Sequence, residues 1–211
     1  MNNRFILQLL ETAIHELIHA LGFSQDLRSK FRDCSDTALQ DQQCPLWKRT
    51  VVMDLFGVPR VVLPSVVNFT KQHYNCDITD FGAPLDKLPD GSGGSHWDPL
   101  MMYGSMMTPK IGEAGFVSLD VMTAALLADS GWYKVNFTAV DSYVWGKDQG
   151  CQFGLPSSCS STSVERQTSL LCNPSSVQEG CDFLHRTVTT CQKLSPSHEC
   201  GIFKPNVTLK E

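Results

Sequence analysis

The stretch Ala13-Ile14-His15-Glu16-Leu17-Ile18-His19-Ala20-Leu21-Gly22-Phe23 constrains this chain more than any other. In a helix, residues at i and i+4 lie one above the other on a single face, so the imidazoles of His15 and His19 are both able to reach one metal ion. Phe5, Ile6, Leu9, Leu10, Ala13, Ile14, Leu17, Ile18, Ala20 and Leu21 surround them with a nearly continuous apolar surface. A helix apolar on most sides is expected to be buried. Burying His15, Glu16 and His19 is costly unless they are paired or metal-bound. Gly22 predicts a left-handed helix end that turns the chain away sharply after the second histidine.

With Glu16 directly after His15, the stretch reads H-E-x-x-H, the pattern of zinc hydrolases in which the glutamate is the general base rather than a ligand. The competing reading, two histidines and a glutamate hydrogen-bonded in a core by chance, suits a lone histidine better than this full motif. A zinc site needs a third protein ligand, and two histidines downstream are candidates. His96 is presented by Asp90-Gly91-Ser92-Gly93-Gly94-Ser95, a segment that reads either as a flexible turn or as a close backbone approach to a metal. His73, beside Tyr74 and Asn75 and just after a sequon, is expected to be a surface residue.

Between Ser24 and Ser95 the chain is broken by Pro45, Pro59, Pro64, Pro84 and Pro89 and is expected to be largely irregular. The β-branched runs Thr50 to Phe56 and Pro59 to Pro64, around Gly57, predict a short hairpin or a pair of strands within it. Pro99 to Pro109 is rich in methionine, which by default means adaptable core packing. Ser118 to Ser130 reads as a scaffold helix, N-capped by Ser118 and ending at Gly131.

Nine cysteines and sequons at Asn68, Asn136 and Asn206 place the chain in the secretory pathway, extracellular or at the cell surface, as a disulfide-bonded glycoprotein. Cys34 and Cys44 are close enough to pair locally, which sends Cys76 elsewhere. From Cys151 onward, Cys159, Cys172, Cys181, Cys191 and Cys200 recur at about ten-residue intervals and predict a disulfide-stapled, loop-rich lobe with no second metal. His185 and His198 are expected on the surface of that lobe. A formal charge of -5 with no basic run argues against nucleic acid as partner. No stretch is apolar enough to span a membrane or to signal a lipid anchor. Met1 to Leu10 is too short an apolar run for a signal peptide and leads straight into the histidine helix, so the chain is expected to be a piece of a longer protein. The odd cysteine count fits the same expectation.

His15 to Ser24, the delayed Gly94-Ser95-His96-Trp97, the Met106-Met107-Thr108-Pro109 turn and Leu126 to Tyr133 together resemble the leishmanolysin family of surface metalloproteases, within the metzincin clan. Most metzincins place the third ligand where this chain has Gln25; an insertion before that ligand, here residues 24–95, distinguishes leishmanolysins. The resemblance implies that His96 is the third ligand of one catalytic zinc ion and that Met107, rather than Met106, is the methionine of the turn below the metal. It implies an α+β fold: residues 1–150 as a metzincin-like catalytic region, with active-site helix, long insertion, methionine turn and following helix, and residues 151–211 as the cysteine-rich lobe. A preceding sheet lobe, whose edge strand holds the substrate, and a propeptide would lie upstream and be missing here.

The expected activity is zinc-dependent hydrolysis of internal peptide bonds of protein or peptide substrates, with Glu16 as base. This stretch of chain is itself expected to be weakly active or inactive. The alternative is a non-catalytic cell-adhesion module that keeps a structural metal site, with cell-surface or matrix proteins among its partners. A third reading is a disulfide-rich secreted domain without metal.

Overall fold

A computed structural model describes residues 3–35, 44–110, 115–155, 170–175, 179–194 and 200–204. The expected surface residue His198, the sequon Asn206 and the partner choice of Cys159 lie outside these residues. Helix α1, Asn3–Leu21, carries the H-E-x-x-H motif. It is not a buried helix. Only Glu11, His15 and Ile18 are buried, at i, i+4 and i+7, while Phe5, Ile6, Leu9, Leu10 and Leu17 are 48–61% exposed. Apolar composition all round shows where a helix can be covered; here packing reaches a single stripe, and among the described residues nothing covers the rest. Glu16 is likewise exposed and His19 half-buried, against the expectation of an interior position for both. Gly22 ends the helix with φ of +155°, a positive value that L side chains rarely adopt, though far from the left-handed helical value of about +57° that was expected.

The segment expected to be largely irregular carries two helices and four strands among its described residues. A short helix α2, Gln25–Arg28, precedes the hairpin of β1, Val51–Met53, and β2, Pro59–Val61, which pair antiparallel as the β-branched runs predicted. Helix α3, Pro64–Tyr74, follows. Pro64 does not break the chain there: it occupies the first turn, where a missing N–H costs nothing, and Asn75 closes the helix in the left-handed conformation (φ 54°). Strands β3, Ala83–Lys87, and β4, Gly93–Trp97, complete a four-stranded antiparallel sheet in the order β1-β2-β3-β4. Gly93 and Gly94 therefore belong to a strand, not to the turn they were expected to form. Buried Arg60 is satisfied in the core: Asp54 accepts from its Nε at 2.6 Å, Gly82 O accepts from Nη1, and the guanidinium lies 4.3 Å over the Phe81 ring.

Helix α4, Val121–Asp129, starts later than expected. Its N-cap is Asp120, whose Oδ1 accepts from Thr123 N at 2.9 Å, while Ser118 pairs with Ser105 in an isolated parallel bridge. Both residues are cap-competent. Asp120 prevails because its other oxygen also takes the hydroxyls of Ser105 and Thr123, so one buried carboxylate satisfies three donors. The later segment is a second antiparallel sheet of β5, Leu171–Cys172, β6, Glu179–Cys181, β7, Val188–Lys193, and β8, Gly201–Phe203, in the order β5-β8-β7-β6. The architecture is thus mixed helix and antiparallel sheet with disulfides, the α+β class expected.

Cys34 pairs with Cys44, as their spacing suggested, Cys76 with Cys151 and Cys172 with Cys191. Among the described residues Cys181 is the free thiol. The disulfides fit an extracellular setting, and among the described residues no helix is long and apolar enough to cross a membrane. Asn68 on α3 and Asn136, which caps a 3-10 turn at Phe137–Ala139, are both exposed, and His185 lies on the surface as expected.

His73 is not the open surface residue expected. Its Nε2–H donates to Trp145 O at 2.7 Å, and its ring stacks on Tyr143 at 5.2 Å. Burial holds this imidazole below the ordinary value near 6.5, against the opposing pull of the carbonyl. Between the folded and unfolded pKa the unfolded chain binds more protons, so stability contributed by neutral His73 is present above pH 6.5 and is lost as pH falls through that window. A melting-temperature series from neutral to mildly acidic pH is expected to fall more steeply for the native chain than for His73→Gln; equal slopes would contradict it.

Candidate metal centre

The histidines of α1 and β4 meet. Each of His15, His19 and His96 offers one ring nitrogen, and these atoms all lie within 4.8 Å of one another. His19 Nε2 is 3.0 Å from His15 Nε2 and 3.2 Å from His96 Nε2. His15 is buried, while His19 and His96 are half-buried, so the cluster has a walled side and an open side.

Hydrogen bonds at the opposite ring nitrogens decide what this cluster can hold. His15 Nδ1 lies 2.6 Å from Met106 O, and His19 Nδ1 lies 2.7 Å from Phe23 O. Carbonyl oxygens only accept, so both Nδ1 atoms carry the proton and both Nε2 atoms present bare lone pairs. Lone pairs facing each other at such distances repel unless a cation lies between them. Burial first, and the neighbouring His19 and His96 rings in addition, hold the His15 pKa below its ordinary value against the lift from the Met106 carbonyl and Glu16, which favours its neutral, metal-binding form. Tetrahedral zinc bonded to imidazoles at about 2.0–2.1 Å asks for nitrogens about 3.3 Å apart. The donor set and its spacing fit such an ion.

The methionine-rich segment ties the two halves of this centre together through its backbone. Met106 O receives His15 Nδ1–H, and Met107 O accepts from Trp97 N at 2.8 Å, next to His96. Met106 and Met107 are both buried. Ser105 Oγ accepts from Met107 N and donates to Asp120, which links this turn to the cap of α4. Thr123 Oγ1, also bonded to Asp120, accepts from Trp97 Nε1 at 2.8 Å. Helix α4 is therefore scaffold, as expected, and it braces the segment under His15 as well as the strand bearing His96.

Glu16 lies outside the nitrogen cluster, exposed on α1 beside His15. Gln25, the position of the third ligand in most metzincins, begins α2, and its backbone N–H donates to Ser95 Oγ at 3.0 Å. It is thus next to His96 in space although far from it in sequence. The sequence reading missed Asp86. Its Oδ1 accepts from His96 N at 3.1 Å and its Oδ2 stands 3.4 Å from His96 Nδ1. A lone aspartate in Ala83-Pro84-Leu85-Asp86-Lys87 carries no local signal, and only strand pairing reveals it.

Residues 3–199 match the sequence profile of the leishmanolysin family. The chain is 35% identical over 202 residues to the ciliated left-right organizer metallopeptidase of Danio rerio, covering 95% of this chain and 30% of that protein. It is 29% identical over 175 residues to the leishmanolysin-like peptidase of Drosophila melanogaster, covering 71% of this chain and 25% of the relative. To the leishmanolysin of Leishmania chagasi it is 26% identical over 180 residues, covering 84% and 27%. The chain thus spans between a quarter and a third of the length of these relatives.

Proposed function

Because the chain belongs to the leishmanolysin family of metallopeptidases, we propose that it carries the centre of a zinc-dependent endopeptidase, in which His15, His19 and His96 hold one zinc ion through their Nε2 atoms. The observation that supports this reading best is the set of nitrogen lone pairs turned on one another, with the Nδ1–H of both helix histidines committed to backbone carbonyls. When bound, zinc supplies positive charge that eases deprotonation of water and polarises a scissile carbonyl. Glu16 accepts the water's proton at a carboxylate oxygen as the water adds to the peptide carbonyl, then delivers it to the departing amine nitrogen as the C–N bond breaks. His15 and His19 serve as neutral ligands, their tautomers set by Met106 O and Phe23 O. Met107 takes the role of the turn methionine, and no nucleophilic side chain is required.

Residues 1–150 form the catalytic region in this reading, and residues 151–211 the cysteine-rich lobe. Substrates are proteins or peptides, met outside the cell or at its surface. Asn68 and Asn136 are exposed enough for glycosylation, and Asn206 is the third acceptor. In a full-length protein that carries these residues, digestion of casein, stopped by a zinc chelator and restored by added zinc, is the expected result, while the stretch by itself is expected to be weakly active or inactive. One bound zinc with no cleavage of casein or gelatin would favour the adhesion-module reading instead.

A further inference from the structure

We propose that Asp86 is the positioning residue for His96, holding the third imidazole for metal binding, and that position 94 is glycine to make room for its carboxylate. The inference rests on the three-histidine zinc reading and adds a residue to it. Two of the histidines sit on one helix, each with its Nδ1 on a backbone carbonyl. His96 is different. It lies on β4, at the edge of its sheet, with a side chain 27% exposed, so packing alone does not fix its ring.

The pairing of β3 with β4 supplies what packing does not. Leu85 faces Trp97 and Lys87 faces Gly93, so the three residues Gly94 to His96 stand opposite the single residue Asp86. The carboxylate of Asp86 fills this irregularity. Its Oδ1 takes the His96 backbone N–H, and its Oδ2 faces His96 Nδ1. A carboxylate at Nδ1 orients the ring and favours the tautomer that leaves the Nε2 lone pair for the metal.

Two further observations fit this role. A Cβ built on Gly94 would lie 2.3 Å from Asp86 Oδ1, so any side chain there displaces the carboxylate. The buried Arg28 guanidinium donates to Gly93 O at 3.0 Å on β4, and its charge attracts the Asp86 carboxylate on β3.

The test is a zinc dissociation constant measured on the full chain by chelator competition, with the folded state checked by circular dichroism. Asp86→Ala is expected to weaken zinc binding about 10–100-fold, the usual effect of losing an outer-shell partner. Asp86→Asn, which keeps the shape and one acceptor oxygen, is expected to fall between this variant and the native chain, and it serves if the alanine variant fails to fold. Gly94→Ala should weaken binding comparably in the native background. In the Asp86→Ala background, where the space is vacant, it should change binding by less than about two-fold. Nitrogen-15 NMR of the apo chain at about pH 8 supplies a readout that general loosening would not move: His96 as the Nδ1–H tautomer in the native chain and a tautomer mixture in Asp86→Ala.

If the native chain binds one zinc, and loses it on His96→Ala but not on Asp86→Ala or Asp86→Asn, the three-histidine site stands and the role of Asp86 falls. If the native chain binds no zinc, both fall. Equal effects of Gly94→Ala in the two backgrounds would also overturn the proposal.

Discussion

In a full-length protein that carries these residues, Glu16→Gln is expected to lower peptide-bond hydrolysis by about 10²–10⁴-fold while one zinc stays bound. The argument is positional. Glu16 follows a proposed ligand on the same helix, yet it is exposed and stands outside the converging nitrogens. The amide preserves shape and removes only the capacity to take a proton. Exposure also means that α1 loses no buried contact, so the folded state should be unaffected. Casein turnover and elemental analysis of the same sample separate the outcomes. Activity within a few-fold of native would remove Glu16 as the base, and loss of zinc would make it a ligand.

Asp120→Ala is expected to destabilise the scaffold by about 3 kcal/mol or more, because it strands three buried donors at about 1–3 kcal/mol each. Those donors are Ser105 Oγ, Thr123 N and Thr123 Oγ1. For a chain of this size that corresponds to a melting temperature lower by about 6–12 °C. The damage should reach the metal centre, since Ser105 holds Met107 N while the adjacent Met106 O holds His15 Nδ1. Weaker zinc binding is therefore expected alongside the lower melting point. Asp120→Asn keeps an acceptor for Thr123 N and should cost clearly less. Thermal unfolding within about 2 °C of native for the alanine variant would contradict this account of the network.

Residue by residue, the centre was more legible than the fold around it. His15, Glu16 and His19 announce themselves because helical geometry converts a fixed spacing into a shared face. His96 carries no such local signal; its role as a ligand came from the resemblance to a family with a delayed third histidine, and the structure places its ring beside the helical pair. Asp86 was illegible because its contact arises from an irregularity in strand register, which no local pattern encodes. Pro64 misled because the same residue that breaks a helix interior starts a helix at its first turn. The exposed face of α1 shows a further limit: apolar periodicity records that a surface is able to be covered, and says nothing of what covers it. The Cys34–Cys44 pair was readable from local spacing, whereas Cys76–Cys151, across 75 residues, depends on how the chain returns to the end of α3.

The central claim is that three imidazole Nε2 atoms share one zinc ion, and X-ray absorption at the zinc edge tests it most directly. One zinc per chain, with three imidazole nitrogens at about 2.0 Å and no sulfur neighbour, is the predicted result, dropping to two imidazoles and substoichiometric metal in His96→Ala. A sulfur shell at about 2.3 Å, or full zinc occupancy retained in His96→Ala, would contradict the account.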